Sequence, residues 1–161
     1  ETCQTIYMRR YRYMLWTRRP RELALQIAFF RSILTTLDAM HARGVIHGDL
    51  TPGNICYDSS SRLVLIDFAN CHFSDDDKDS KMDIACAEGY SPPEEYASPA
   101  MDIWAFGCIV VFTVFGMPLR YWKRAAVIDP LIDSLTQRAL ELDPARRATA
   151  AELLAMLPSL H

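Results

Sequence analysis

Seventeen consecutive residues, Ile103 to Leu119, carry no charged side chain. A helix that is apolar on every side either crosses a bilayer or forms the centre of a domain large enough to surround it. The run sits at the lower edge of the roughly 17–25 residues a span needs. It is interrupted by Gly107, ends in Gly116-Met117-Pro118, and has Asp102 at its head. These features favour a buried central helix, so the rest of the chain must supply the elements that enclose it. With 161 residues, 50% hydrophobic and 23% charged, there is material for one such domain. A net charge of −3 gives no overall attraction to nucleic acid or anionic membrane, and neither is expected as a partner.

The enclosing elements are readable from spacing. Residues 5–15 are aromatic and β-prone, which predicts a strand running into a connector. After Pro20, Leu23, Ile27, Phe30, Leu34 and Leu37 recur at three- and four-residue intervals, the pattern of one helix face, with Gly44 as its stop. Ile55-Cys56-Tyr57 and Leu63-Val64-Leu65-Ile66, separated by Asp58-Ser59-Ser60-Ser61, predict a small hairpin. A polar loop from Ser74 to Asp83 holds five Asp and two Lys. From about Asp102 the pattern is helical: the apolar run, a second helix carrying Leu131, Leu135, Ala139 and Leu142, and a last helix opened by the Thr149/Glu152 capping-box spacing. The expected fold class is mainly α with one small β element.

Two counts restrict the chemistry. Three lysines, Lys78, Lys81 and Lys123, stand against 14 arginines, and the six glycines are never clustered as a phosphate-cradling loop requires. Nucleotide chemistry that depends on a Gly-rich loop and a nearby lysine is therefore not completed by this chain alone. Five cysteines without a C-x-x-C pair indicate neither a disulfide framework nor a zinc site. Reduced thiols and an intracellular setting, cytoplasm or nucleus rather than secretion, are expected. The chain opens on Glu1, with no basic-then-apolar leader following, and is read as a piece of a longer product or a processed one.

The informative segment is His47-Gly48-Asp49-Leu50-Thr51-Pro52-Gly53-Asn54, followed by Leu65-Ile66-Asp67-Phe68-Ala69. An Asp, an Asn five residues later and an Asp at the end of the next apolar strand supply the oxygen ligands that a magnesium–phosphate complex takes. A neighbouring carboxylate can orient a hydroxyl and accept its proton. The segment resembles the catalytic loop and metal-binding motif of protein kinases, H-R-D-L-x-x-x-N followed by D-F-G. Three further stretches match that family in order. Gly89-Tyr90-Ser91-Pro92-Pro93-Glu94 is similar to the end of the activation segment, Asp102-Ile103-Trp104-Ala105-Phe106-Gly107 to the start of the buried central helix, and Asp143 to Thr149 to the D-P-x-x-R stretch. Singly, each residue is an ordinary turn or surface position; their order and spacing carry the resemblance, over roughly residues 5–157.

The resemblance implies a kinase-like C-lobe in which the small hairpin carries the catalytic and metal-binding loops. It makes Asp49 the catalytic base, Asn54 and Asp67 the magnesium ligands, and Cys56, with Asn54 and Asp67, part of the ATP site. His47 and Phe68 would stack in a hydrophobic spine, Asp102 would anchor the catalytic-loop backbone, and Glu94 and Arg147 would form a buried ion pair. ATP and Mg²⁺ are the implied cofactors, and a protein substrate or a partner kinase the implied partner. The N-lobe, with its Gly-rich loop and lysine, is missing from residues 1–161.

Four departures qualify that picture. Gly48 replaces the catalytic-loop Arg that receives an activation-segment phosphate, Thr51 replaces a phosphate-contacting Lys, Ala69 replaces the Gly after Asp67-Phe68, and Ala87 stands where a Thr packs against that Lys. H-G-D-L variants also occur in aminoglycoside phosphotransferases and in small atypical kinases of the tRNA-threonylcarbamoylation complex. The implied function is a Ser/Thr protein kinase lobe, active when completed by an N-lobe. The alternatives are a non-catalytic kinase-lobe mimic, or pseudokinase, that binds or inhibits another kinase, and a small-molecule phosphotransferase, which the Tyr90–Glu94 ending disfavours. Six arginines between Arg9 and Arg21 (Arg9, Arg10, Arg12, Arg18, Arg19, Arg21) form either a solvated connector and exposed helix start, or a docking patch for an acidic substrate or for the Asp75 to Asp83 loop.

Overall fold

In the computed structural model, which describes residues 11, 13–73, 89–121 and 129–159, the uncharged run becomes the body of helix α2 (Pro99–Phe115). The helix opens at Pro99 rather than near Asp102. Ser98 is still extended just before it, and a proline in the first turn loses no intrahelical bond. Gly116 closes it at φ 76°, a left-handed conformation that a side chain disfavours, and donates its N–H to the Phe112 carbonyl at 2.8 Å. Arg19 donates to the same carbonyl at 2.9 Å, placing a cation at the negative end of the helix. Burial and the adjacent Arg21 lower the pKa of that guanidinium.

Helix α1 (Leu23–His41) packs on α2 and on the last helix. Its predicted stripe is buried at Ile27, Phe30, Leu34 and Leu37, while Leu23 is exposed because the first turn of the helix extends past the core. By length and composition α1 is the one described helix able to cross a membrane; here Phe30, Ile33, Leu34 and Leu37 have no exposed surface. The chain then turns at Gly44, where its N–H meets the His41 carbonyl.

The expected hairpin forms from β3 (Ile55–Tyr57) and β4 (Leu63–Leu65), with Cys56 opposite Val64. Asp58 sets its turn by accepting the Ser60 and Arg62 backbone N–H groups, and the Arg62 amide bond chiefly holds its carboxyl below the usual range. The single β element expected is a minimum. Strand β1 (Tyr13–Met14) adds to β3, giving the order β1-β3-β4, and β2 (Val45–Ile46) pairs separately with β5 (His72–Phe73). Two-residue strands carry no alternation to detect. Residues 5–10 and 12 of the predicted N-terminal strand and the Ser74–Asp83 loop lie outside the described residues.

A short 3₁₀ turn (Leu119–Tyr121) follows α2. Helix α3 (Pro130–Ala139) is capped by Asp129, which accepts the Leu131 N–H at 2.9 Å. Its buried face is Ile132, Leu135, Thr136 and Ala139, so the predicted stripe is corrected at both ends: Leu131 is half-buried, and Leu142 lies beyond the helix and is exposed. Helix α4 (Ala150–Met156) has the predicted capping box, with Thr149 Oγ1 accepting from the Glu152 N–H and Glu152 Oε2 from the Thr149 N–H. The mainly-α class stands.

The core centres on Phe30 of α1 and Phe106 of α2, both fully buried, with ring centroids 5.9 Å apart and planes nearly perpendicular. Phe106→Ala is expected to cost about 3–5 kcal/mol through lost burial and cavity formation. Leu142→Ala, at an exposed position, should stay within about 0.5 kcal/mol of wild type. Urea unfolding of the two variants measures the contrast.

Candidate active site

Strand β2 delivers the chain into the 47–54 loop directly over the first turn of α2. There Asp102, 1% exposed, accepts the backbone N–H of His47 at 2.9 Å and of Gly48 at 3.0 Å, and its Oδ2 lies 2.9 Å from His41 Nε2 at the end of α1. A buried carboxylate is stable only with such donors, and charge-assisted bonds are the strong ones. Asp102 therefore fixes the loop backbone to the central helix.

Beyond that anchor the loop closes on itself. Asn54 Nδ2 donates to the Asp49 carbonyl at 2.7 Å and to Asp49 Oδ2 at 3.2 Å, while the Asn54 N–H reaches the Thr51 carbonyl. Asp49 Oδ1 is buried without a hydrogen-bond partner. The Asp49 N–H donates to His47 Nδ1 at 3.3 Å, which leaves His47 Nε2 as the donor to the Ile66 carbonyl at 3.2 Å. The His47 ring also lies against Phe68, centroids 4.8 Å apart. The buried histidine thus ties the 47–54 loop to the segment after β4.

That segment turns sharply. The Ile66 N–H donates to the Asn54 carbonyl at 3.0 Å, so Asp67 follows immediately on a residue bonded to Asn54. Asp67 adopts φ 65°, an uncommon conformation for a residue with a side chain, and its exposed carboxylate accepts a long 3.4 Å bond from the Ala69 N–H. Gly48 has φ 77°, and a Cβ built there would overlap the Asn70 carbonyl oxygen. The glycine is thus required by backbone contact between the two loops as well as by its dihedral.

Asp49, Asn54, Asp67, His47, Phe68 and Asp102 are thus brought together around the two loops. Cys56 does not join them. It is fully buried in the middle strand, opposite Met14 and Val64, where desolvation raises its thiol pKa, and it presents no surface to a ligand. His41, Asn70 and Trp16 were not foreseen; Trp16 sets its indole Nε1 beside Gly53. A single histidine at a helix end and a tryptophan in a connector carry no pattern that names a partner. Arg9, Arg10, Arg12 and Ala87 fall outside the described residues.

The second convergence is an ion pair. Arg147, its side chain without exposed surface, makes a bidentate contact with Glu94 at 2.5 and 2.8 Å. It also donates to the Ala100 carbonyl at 2.8 Å and the Glu141 carbonyl at 2.9 Å, and lies 5.1 Å over the Trp104 ring. Glu94→Ala should cost about 3–5 kcal/mol because it strands a buried cation, measured by urea unfolding. Gly48→Arg, which supplies the side chain usual at this position, should lower stability by about 1–3 kcal/mol because it forces a strained backbone into the Asn70 carbonyl; a thermal melt at or above wild type would contradict this.

The protein kinase domain matches residues 8–157. Serine/threonine-protein kinase PKH2 of Candida albicans is 30% identical over 154 aligned residues, covering 78% of this chain and 16% of that protein. Calcium/calmodulin-dependent protein kinase type I of Schizosaccharomyces pombe is 30% identical over 155 residues, covering 79% and 46%, and human serine/threonine-protein kinase PAK 4 is 28% identical over 145 residues, covering 76% and 24%. The chain spans less than half the length of each of these relatives. Placed beside the joined 47–54 and 66–70 loops, the match over nearly its whole length establishes that the chain belongs to the protein kinase family.

Proposed function

We propose that the chain is the C-lobe portion of a Ser/Thr protein kinase, transferring phosphate from Mg-ATP to a protein hydroxyl when an N-lobe completes it. The observation that supports this reading is the pair Asp49 and Asn54, hydrogen-bonded to each other and joined to Asp67 through the Asn54 carbonyl and the Ile66 N–H. Asp49 acts as the base. Asn54 holds its carbonyl and Oδ2, which orients the half-buried carboxylate that accepts the proton of an incoming hydroxyl. Asp67 offers an exposed carboxylate, and the Asn54 amide, its nitrogen committed to Asp49, offers its oxygen to the other side. These hard oxygen donors fit Mg²⁺, which when bound would neutralise phosphate charge. His47 and Asp102 keep the two loops in register. The phosphate clamp must come from elsewhere, since no residue before Lys78 is a lysine. The relatives' names support a protein hydroxyl as acceptor, and the free thiols at Cys56, Cys71 and Cys108 support an intracellular setting.

A second reading, a non-catalytic lobe that binds or inhibits another kinase, is favoured by one observation. Thr51, which occupies the position of the phosphate-contacting lysine, is nearly buried and shorter than that side chain. The two readings separate in the full-length product. Asp67→Asn and Asp49→Asn should each lower magnesium-dependent phosphoryl transfer by about 10²–10⁴-fold, read with a generic protein substrate and radiolabelled ATP. Wild-type turnover in Asp67→Asn overturns the metal assignment, and the absence of transfer by the wild-type product supports the second reading.

A further inference from the structure

Away from the 47–54 loop the fold leaves a groove of about 940 Å³ between the first half of α1 and the β3–β4 hairpin, within the size range of binding clefts. Its charged lining is Arg18, Arg19, Arg21, Arg31 and Arg62, against the single carboxylate of Glu22. The whole chain carries −3, so this concentration of positive charge is local. Internal partners account for only part of it. Arg62 pairs with Asp58 through Nε at 2.9 Å, and Arg19 is committed to the end of α2. Arg18 lies 5.0 Å over the Tyr13 ring, and among the described residues neither it nor Arg21 nor Arg31 is paired with a carboxylate. Arg31 gives Nη2 to the Leu157 and Pro158 carbonyls, but its buried Nε has no partner. The floor is apolar: Leu25, 55% exposed, lies with Phe29, Tyr57 and Leu63 along the lining.

We propose that this groove docks an acidic segment of a partner protein, its carboxylates on the arginine rim and an apolar side chain on the floor. Guanidinium groups recognise carboxylates in forked pairs, and those without internal partners lose no native contact on binding. The exposed leucine and aromatic floor distinguish the occupant from a nucleic-acid backbone, which would engage the rim alone. No groove residue belongs to the 47–54 loop or the 66–70 turn, so docking does not depend on phosphoryl transfer by this chain.

The test is fluorescence anisotropy on the chain with three labelled probes: a peptide of Asp and Glu residues around a central Leu-Phe pair, the same peptide with Ser replacing Leu and Phe, and a single-stranded oligonucleotide. The first probe should bind saturably, weaken as salt rises, and lose at least about tenfold in affinity in Arg18→Glu/Arg21→Glu. Leu25→Ser should weaken it as well, to about the level of the Ser-substituted probe. Arg43→Glu, outside the groove, controls for net charge and should leave binding unchanged, and circular dichroism verifies that each variant is folded. Undiminished binding by the double variant, equal losses in Arg43→Glu, no saturable binding of the acidic peptide, or tighter capture of the oligonucleotide would each overturn the proposal.

Discussion

The organisation of this fold depends on a carboxylate placed where charge is least welcome. Asp102 sits at the first turn of a helix otherwise free of charge and is itself almost wholly buried. Two backbone N–H groups and a histidine nitrogen compensate its desolvation, and those donors belong to the loop that carries Asp49 and to the end of α1. Its position near the positive end of α2 adds a further favourable field. One side chain thereby couples the hydrophobic interior to the polar loop above it, which is why a long apolar helix and a cluster of polar residues coexist without a layer of ordered structure between them.

The two loops meet through backbone as much as through side chains. The Ile66 N–H reaches Asn54, His47 Nε2 reaches the Ile66 carbonyl, and Gly48 lies against the Asn70 carbonyl. Backbone contacts of this kind tolerate little positional freedom, so Asp49 and Asp67 are oriented by chain geometry before any ligand is considered. The cost is borne at Asp67, whose positive φ is the strained point of the turn.

Much of this was legible in the sequence, and the failures have physical causes. The α1 stripe, the hairpin, the capping box at Thr149 and the central helix were marked by periodicity and turn chemistry, which are local properties. The Asp49, Asn54 and Asp67 set was legible because it follows an ordered pattern rather than because any one residue is distinctive. What escaped were contacts made at long range by residues with no periodic signature: β2 with β5, His41 with Asp102, Trp16 with Gly53. Cys56 marks the limit of such a pattern: a strand position reveals that a side chain is buried but not whether a ligand reaches it.

Arg147 carries a consequence for dynamics. Its guanidinium bonds to Glu94, to Ala100 at the start of α2 and to Glu141 after α3, and covers Trp104. Three separated stretches of chain thus share one buried cation, and none can detach without leaving that charge unsolvated. Fluctuations that begin in the 89–98 segment cannot remain local; they must either stop short of Glu94 or draw the ends of α2 and α3 open with them. The amides around Glu94, Ala100 and Glu141 are therefore expected to open together rather than singly.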